Sequence, residues 1–339
     1  MKVLITGIAG FAGSNIASGL NLLHSSIEIF GLDNLSRKGT EQNIHLLSKD
    51  GINIIRGDIR SQSDIDAIPP VDWIIDCAAN PSVLAGLDGN SSSRQVMEHN
   101  LSGTINLLEY CKRHKTGLTL LSTSRVYSAL ELANLPVESI NDRFEVKKAN
   151  ASGFSEQGIS EEFPTSAPIS LYGSSKLASE QLILEYGYNF DFPVWINRCG
   201  VLAGAGQFGK ADQGIFSYWI HSFKEKKTLK YIGFDGSGHQ VRDALHPRDL
   251  VPLLSRQLME PSWDAPKIIN VGGGVGNSIS LKQLSDWCEN RFGSNEVISS
   301  AESRPMDAPW IVMDSTVAQN ARSIAFARTE ETSETRSPL

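Results

Sequence analysis

Short, continuously apolar runs recur through the first 199 residues, and each is followed by a helical or polar pattern. KVLIT (2–6) leads into FAGSNIASGLNLL, IEIFGL (27–32) into SRKGTEQNIHLLSK, and INIIRG (52–57) into SQSDIDAI. DWIIDCA (72–78) leads into SSSRQVMEHNLSGTINLLEYCKRH. GLTLLS (117–122), a polar insertion, a helix opening near Ser170 and PVWINRC (193–199) continue the series. Strands that are apolar at every residue are covered on both faces, which is the habit of parallel sheets. Alternation of such strands with amphipathic helices predicts an α/β fold with a doubly wound parallel sheet, and ligands bind at the carboxyl ends of such strands.

After residue 199 the rhythm changes to a glycine-rich stretch, GVLAGAGQFGKADQG, then IFSYWIHSFKEKK as a helix and TLKYIGF as a strand. HPRDLVPLLSRQLM reads as a helix, KIINVGGG as a strand, and SLKQLSDWCENRF as a serine-capped helix. These patterns predict a larger domain over 1–198, with 239–258 returning to it, and a smaller C-terminal α/β substrate domain over 199–322. The final stretch, 323–339, lacks apolar periodicity and is expected to be a disordered tail.

Composition excludes several classes of function. The 339 residues carry a net charge of −7, which gives no electrostatic footprint for nucleic acid or an anionic membrane. No apolar run approaches the roughly 18 residues of a membrane span. MKVLITG is too short for a signal-peptide core, so a soluble, cytoplasmic protein is expected. Cys77, Cys111, Cys199 and Cys288 lie far apart without zinc-type spacing. They read as reduced packing residues, and no metal is expected.

The first strand ends in TGIAGFAGSN, where Gly7, Gly10 and Gly13 bracket Phe11 and Ala12 before the first helix. A loop at this βα turn can take glycine dihedrals, approach a pyrophosphate closely and aim helix-terminal N–H groups at it. Asp33 ends the second strand twenty positions beyond Gly13, where a carboxylate accepts hydrogen bonds from ribose hydroxyls. It would repel a 2′-phosphate, so NAD is expected over NADP, with Asn34, Ser36 and Arg37 beside it. A third feature is SLYGSSKLASEQL (170–182), in which Tyr172 and Lys176 stand one helical turn apart on one face. The spacing alone does not distinguish an acid–base pair from two stacked neighbours.

Taken together, the glycine loop, Asp33 and Tyr172-x-x-x-Lys176 resemble the extended short-chain dehydrogenase/reductases, the NAD-dependent epimerase/dehydratase family, over about residues 1 to 315. The resemblance implies a Rossmann-type domain and extends to GDI (57–59), CAAN (77–80) and STSRVYS (122–128). It implies that Asp58 and Ile59 meet the adenine, that Ala78 and Ala79 line the nicotinamide side, and that Thr123 assists Tyr172 and Lys176. Within the family, DNLSRKGTEQNIHLL, QFGKADQG and GSGHQVRDALHPRDL are similar to the CDP-paratose 2-epimerases. That similarity implies a CDP-sugar substrate, contacts from Gln207 and Gln213 over the sugar and nucleotide, and a diphosphate contact from Arg242. Without it, Arg242 could equally be held by a salt bridge to Asp243. The family also implies a homo-oligomer, a dimer or tetramer packed through helices at 92–114 and 169–188.

Two departures from the family pattern bear on function. The usual N-x-Y-G-P reads CGVLAG, with Cys199 and Leu202 in place of Asn and Tyr, so no ligand contact is carried onto them. Related dehydratases place Asp-Glu after the threonine, an acid and a base for removing water, and this chain has Ser124 and Arg125. Epimerisation is therefore expected rather than dehydration, with Ser124 on the sugar. Inverting a carbinol carbon calls for transient oxidation, here at C2, with Tyr172 as the base. A free phenol has a pKa near 10, and the Lys176 ammonium together with the positive nicotinamide is expected to lower it. A UDP-hexose 4-epimerase and a non-catalytic NAD-sensing scaffold remain alternatives.

Overall fold

The computed structural model describes residues 1–37, 39–84, 92–147, 152–209, 213–304 and 306–320. The stretch 323–339, expected as a tail, lies outside the described residues. The apolar runs form β1 (Lys2–Thr6), β2 (Glu28–Asp33), β3 (Asn53–Arg56), β4 (Trp73–Asp76) and β5 (Gly117–Thr123). They join Val194–Cys199 and Ile268–Val271 in one seven-stranded parallel sheet. The order from edge to edge is Ile268–Val271, Val194–Cys199, β5, β4, β1, β2, β3. Successive strands run outward from β1 in both directions, so the chain reverses beside β1 and leaves a crevice there at the carboxyl ends.

Both faces of the sheet are covered, as the unbroken apolar strands require. On one face α1 (Phe11–Leu23) and the helix Val251–Met259 bury Ile16, Leu20, Leu253 and Leu254 against Val3 and Ile5. On the other, Gly103–His114 and Leu171–Phe190 bury Leu107, Leu108 and Ile183 against Leu4, Ile74 and Leu120. Each such aliphatic side chain contributes about 1.5–3 kcal/mol by burial.

The smaller sheet is built around Val241–Leu245, which pairs with Val201–Leu202, Ser278–Ser280 and Trp310–Ile311. Leu229–Ile232 pairs with Val297–Ser300 beside it, and Trp219 stacks on Tyr231 at 5.6 Å in the adjoining core. Of 239–258, expected to return whole to the larger domain, only the helix does so. Its strand stays in the smaller sheet, and the larger sheet takes its edge strand from Ile268–Val271. Apolar periodicity identifies a strand without identifying the sheet that receives it.

The pattern at 92–114 also differs from one regular helix. Ser93–Met97 and Gly103–His114 flank a π-helical turn, Glu98–Ser102, and the wide turn swings buried Asn100 toward the sheet. A second buried polar device lies under β5. Glu180, on the helix Leu171–Phe190, accepts from Ser122 Oγ at 2.5 Å and pairs with Arg198 at 2.8 Å. Both members of the pair are buried, at 0% and 5% side-chain exposure. Burial opposes the Arg198 charge most strongly, but the hydrogen bonds and the charge of Glu180, with help from Tyr127, together outweigh it and leave the guanidinium pKa raised. Removing one partner strands the other charge in the interior. Glu180→Ala should therefore lower the midpoint of urea unfolding, a loss of about 3–5 kcal/mol. A midpoint equal to that of the unsubstituted protein would show that the pair does not hold the helix to the sheet.

Candidate active site

A cavity of about 720 Å³ opens at the crevice between the larger sheet and the smaller one. Its first wall is the loop that follows β1. Gly7 has φ +61°, and a Cβ on Gly13 would lie 2.4 Å from the Gly7 carbonyl oxygen, so the loop closes only around glycine. Gly10 starts α1 without a side-chain cap, and Phe11, Ala12 and Gly13 line the cavity. Uncapped N–H groups of a helix's first turn, behind a loop that exposes Gly7 and Gly10 to the cavity, fit a pyrophosphate.

Asp33 pins this loop from the end of β2. Its carboxylate accepts from the Ala9 amide at 3.0 Å and the Leu35 amide at 2.8 Å. Asn34, Ser36 and Arg37 line the same wall. Asn34 donates to Asp58 at 2.9 Å, and Arg60 grips Asp58 with a fork at 2.9 and 2.7 Å. The Arg60 hydrogen bond, against the opposing effect of burial, holds the Asp58 carboxyl well below the usual carboxylate range. Beside Ile59 it presents a permanently ionised acceptor to the cavity, suited to an exocyclic amino group.

The next wall is Cys77, Ala78 and Ala79 at the end of β4. The Ala78 amide donates to Thr6 Oγ1 and Asp76 Oδ1, both at 3.2 Å. The Asn80 amide donates to Asn100 Oδ1 at 2.8 Å, and Asn100 Nδ2 donates to Ser175 Oγ at 3.0 Å. Asn100 thus ties this wall to the helix carrying Tyr172 and Lys176. Sequence reasoning missed it, because the π-helical turn that aims it inward has no signature in NLSGT.

Tyr172 and Lys176 are both buried, at 7% and 2% exposure, on a helix capped by Ser170, which accepts from the Gly173 amide at 3.0 Å. Tyr172 reaches the cavity beside Thr123 and Ser124. Thr123 Oγ1 accepts from the Arg125 amide at 3.1 Å, which directs its own proton away from that backbone. The phenol is pushed up to about 12. Burial is the main cause, and a hydrogen bond with Thr123 and the charge of Arg125 oppose it. The Lys176 charge is felt by Cys77 and Cys199, both on the cavity wall. Those two thiols, read from sequence as packing residues, therefore shape the site, and Leu202 lines it too.

The far wall comes from the smaller domain. Gln207 and Gln213 line it, but the Gln207 amide is occupied at both ends, donating to Leu202 O and accepting from Ser217 Oγ, each at 2.8 Å. Arg242 does not pair with Asp243. Neighbouring strand residues face opposite ways: Arg242 faces the cavity and bonds Asp307 at 2.7 Å, while Asp243 accepts from the Met313 and Gly274 amides at 3.2 Å. Arg304 and Asp307 complete the wall. They sit in SRPMD, a sequence with no apolar period from which their role could be read.

The sequence profile of the NAD dependent epimerase/dehydratase family matches residues 3–272. The chain belongs to this family. The CDP-paratose 2-epimerase of Salmonella typhi is 33% identical over 298 residues, covering 85% of each chain. The UDP-glucuronate 4-epimerase of Thermodesulfobacterium geofontis is 26% identical over 302 residues, 86% of this chain and 80% of that protein. Among solved structures, Pal from Bacillus thuringiensis superposes with a TM-score of 0.76 at 25% identity, over 95% of this chain and 93% of that one. A mutant UDP-glucuronic acid 4-epimerase from Bacillus cereus, solved with NAD and a 4-deoxy-4-fluoro analogue of UDP-glucuronic acid, gives 0.74 at 26% identity, over 94% and 92%. The chain is an NAD-dependent nucleotide-sugar enzyme of the epimerase/dehydratase type, and the glycine cradle fits its dinucleotide. Gly13→Ala should lower NAD affinity by at least about 10-fold, some 1.4 kcal/mol, in a fluorescence titration. Unchanged affinity would remove the loop from the cofactor site.

Proposed function

We propose that the chain epimerises a nucleotide sugar at C2, converting CDP-paratose to CDP-tyvelose. The observation that carries this reading is the likeness to the Salmonella 2-epimerase over most of both chains. The absence of an Asp-Glu pair after Thr123 supports it, because Ser124 and Arg125 offer no carboxylic acid to protonate a leaving hydroxyl. In this reading Gly7, Gly10, Phe11, Ala12 and Gly13 hold the pyrophosphate of NAD. Asp33, Asn34, Ser36 and Arg37 take its adenosine ribose, and Asp58 and Ile59 its adenine. Ala78, Ala79, Tyr172 and Lys176 flank its nicotinamide half. Arg242, Gln213 and Ser124 face the substrate, whereas Gln207 shapes the loop above it.

Bound NAD supplies an acceptor, and then a donor, of the hydride on the sugar carbon. The chain's residues manage the accompanying proton. Tyr172 Oη takes the proton of the C2 hydroxyl as the carbon becomes a ketone, and returns it once the sugar has presented its other face. Thr123, its hydroxyl oxygen already accepting from Arg125 N–H, donates to the reacting oxygen and holds it in line. Burial raises the phenol and the charge of Arg125 opposes the rise; in this reading the Lys176 ammonium, one turn along the helix, adds to that opposition. The same trio would serve a UDP-hexose 4-epimerase, a reading favoured by the 4-epimerase relatives alone.

Loss of a positioned proton-transfer group typically costs 10²–10⁴ in rate. Tyr172→Phe should lower kcat by about that factor, with NAD binding retained, when turnover of the CDP-sugar is followed by NMR. Turnover within a few-fold of the unsubstituted enzyme would contradict the assignment of Tyr172.

A further inference from the structure

In the proton chemistry above Arg125 enters only as a nearby positive charge and a backbone donor to Thr123, yet its side chain also joins the two ends of the substrate half of the cavity. It follows Thr123 by two residues, and the first turn of the helix bearing Tyr172 packs directly on its backbone. A Cβ on Gly173 would lie 2.1 Å from the Arg125 carbonyl oxygen, so only glycine permits the approach. Tyr172 and Arg125 are thereby fixed on one stretch of wall, and both line the cavity.

From that wall the Arg125 guanidinium reaches across to the smaller domain. Nη1 donates to Met306 O at 3.4 Å, between Arg304 and Asp307. Among the described residues Arg125 has no carboxylate at ion-pair distance, for Asp307 is bonded by Arg242 at 2.7 Å. Arg125, Arg242, Arg304 and Asp307 all line the cavity, and one carboxylate cannot neutralise three guanidiniums. Burial and repulsion from Arg242 push Arg125 down to about 10, so its charge is held at a cost that an anion would relieve. Arginine presents a planar fork of donors matched to phosphate oxygens.

We propose that Arg125 is a specificity-determining residue that binds the phosphate nearest the sugar while standing beside Tyr172, and so selects C2 as the carbon presented to the phenol. The inference rests on the C2 reading given above and supplies its geometric cause. In a glycosyl diphosphate the phosphate is attached through C1, so C2 is one bond from the anchored carbon and C4 lies across the ring. A single side chain that touches the sugar phosphate and neighbours the phenol leaves room for C2 between them. Arg242 and Arg304 hold the remaining phosphate oxygens, and Ser124 borders the ring.

The test compares the unsubstituted enzyme with Arg125→Ala and with Arg125→Gln, which keeps a polar side chain with N–H donors but removes the charge. Calorimetry with CDP and CMP reads the phosphate contact. Either variant should weaken CDP by about 10-fold or more and CMP little, because CMP lacks the outer phosphate. NAD affinity should not change. Single turnovers with CDP-paratose deuterated at C2 or at C4, followed by the absorbance of reduced cofactor, then read which carbon is oxidised. In the unsubstituted enzyme only the C2 label should slow the reaction; in the variants the C2 rate should fall and a C4 isotope effect should emerge. A variant that binds CDP and CMP as before and keeps C2 oxidation at full rate would overturn the role of Arg125 alone. A C4 isotope effect in the unsubstituted enzyme would instead overturn the C2 reading on which it rests.

Discussion

Glu180 lies at full burial beneath the carboxyl end of the larger sheet, and three parts of the molecule meet on its carboxylate. Ser122 brings the end of β5, Arg198 brings the strand Val194–Cys199, and Glu180 itself brings the helix of Tyr172 and Lys176. Thr123 follows Ser122 and Cys199 follows Arg198, so both neighbours of the carboxylate's partners are cavity residues. The register of phenol against threonine hydroxyl is therefore set one layer below the cavity. An ion pair buried this deeply contributes little net stability against a well-packed apolar replacement. What it does impose is a single arrangement, because any shift of the helix would leave a charge or a hydroxyl without its partner.

The electrostatics of the cavity divide along the same lines. On the side of the glycine loop, Asp33 and Asp58 are engaged by backbone amides or by Arg60, so they are fixed acceptors. On the wall opposite, positive charge exceeds negative, with Arg125, Arg242 and Arg304 against Asp307. Tyr172 stands between the two, raised by its own burial and opposed by Thr123 and Arg125. A phenol raised in this way is a poor base until further positive charge is brought beside it. Asp243 secures the joint behind this arrangement. It sits in the smaller sheet and accepts from Gly274 and Met313, which follow strands of either unit, and burial raises it to about 6.

Much of this was legible in the sequence wherever function follows a local pattern. Gly7, Gly10 and Gly13 are readable because a tight loop at a βα turn is specified by three nearby residues. Tyr172 and Lys176 are readable because helix geometry fixes a four-residue offset, and β1 to β5 because parallel strands are apolar throughout. Asn100 was not readable, since a π-helical turn arises from packing and not from composition. Arg304 and Asp307 sit in an irregular loop and reach the cavity only through the tertiary fold. The Glu180–Arg198 pair joins residues 18 apart on a helix and a strand, and nothing in either segment announces the other. The burial that raises the Tyr172 phenol was not readable, because spacing reports proximity and says nothing of desolvation.

The most direct measurement is an NMR time course of CDP-paratose with the purified protein and no added NAD. Growth of CDP-tyvelose signals toward a stable mixture is the predicted result, and it would show oxidation and reduction at C2 with a retained cofactor. An unchanged spectrum after NAD is supplied, with UDP-glucose converted to its 4-epimer by the same preparation, would contradict the account.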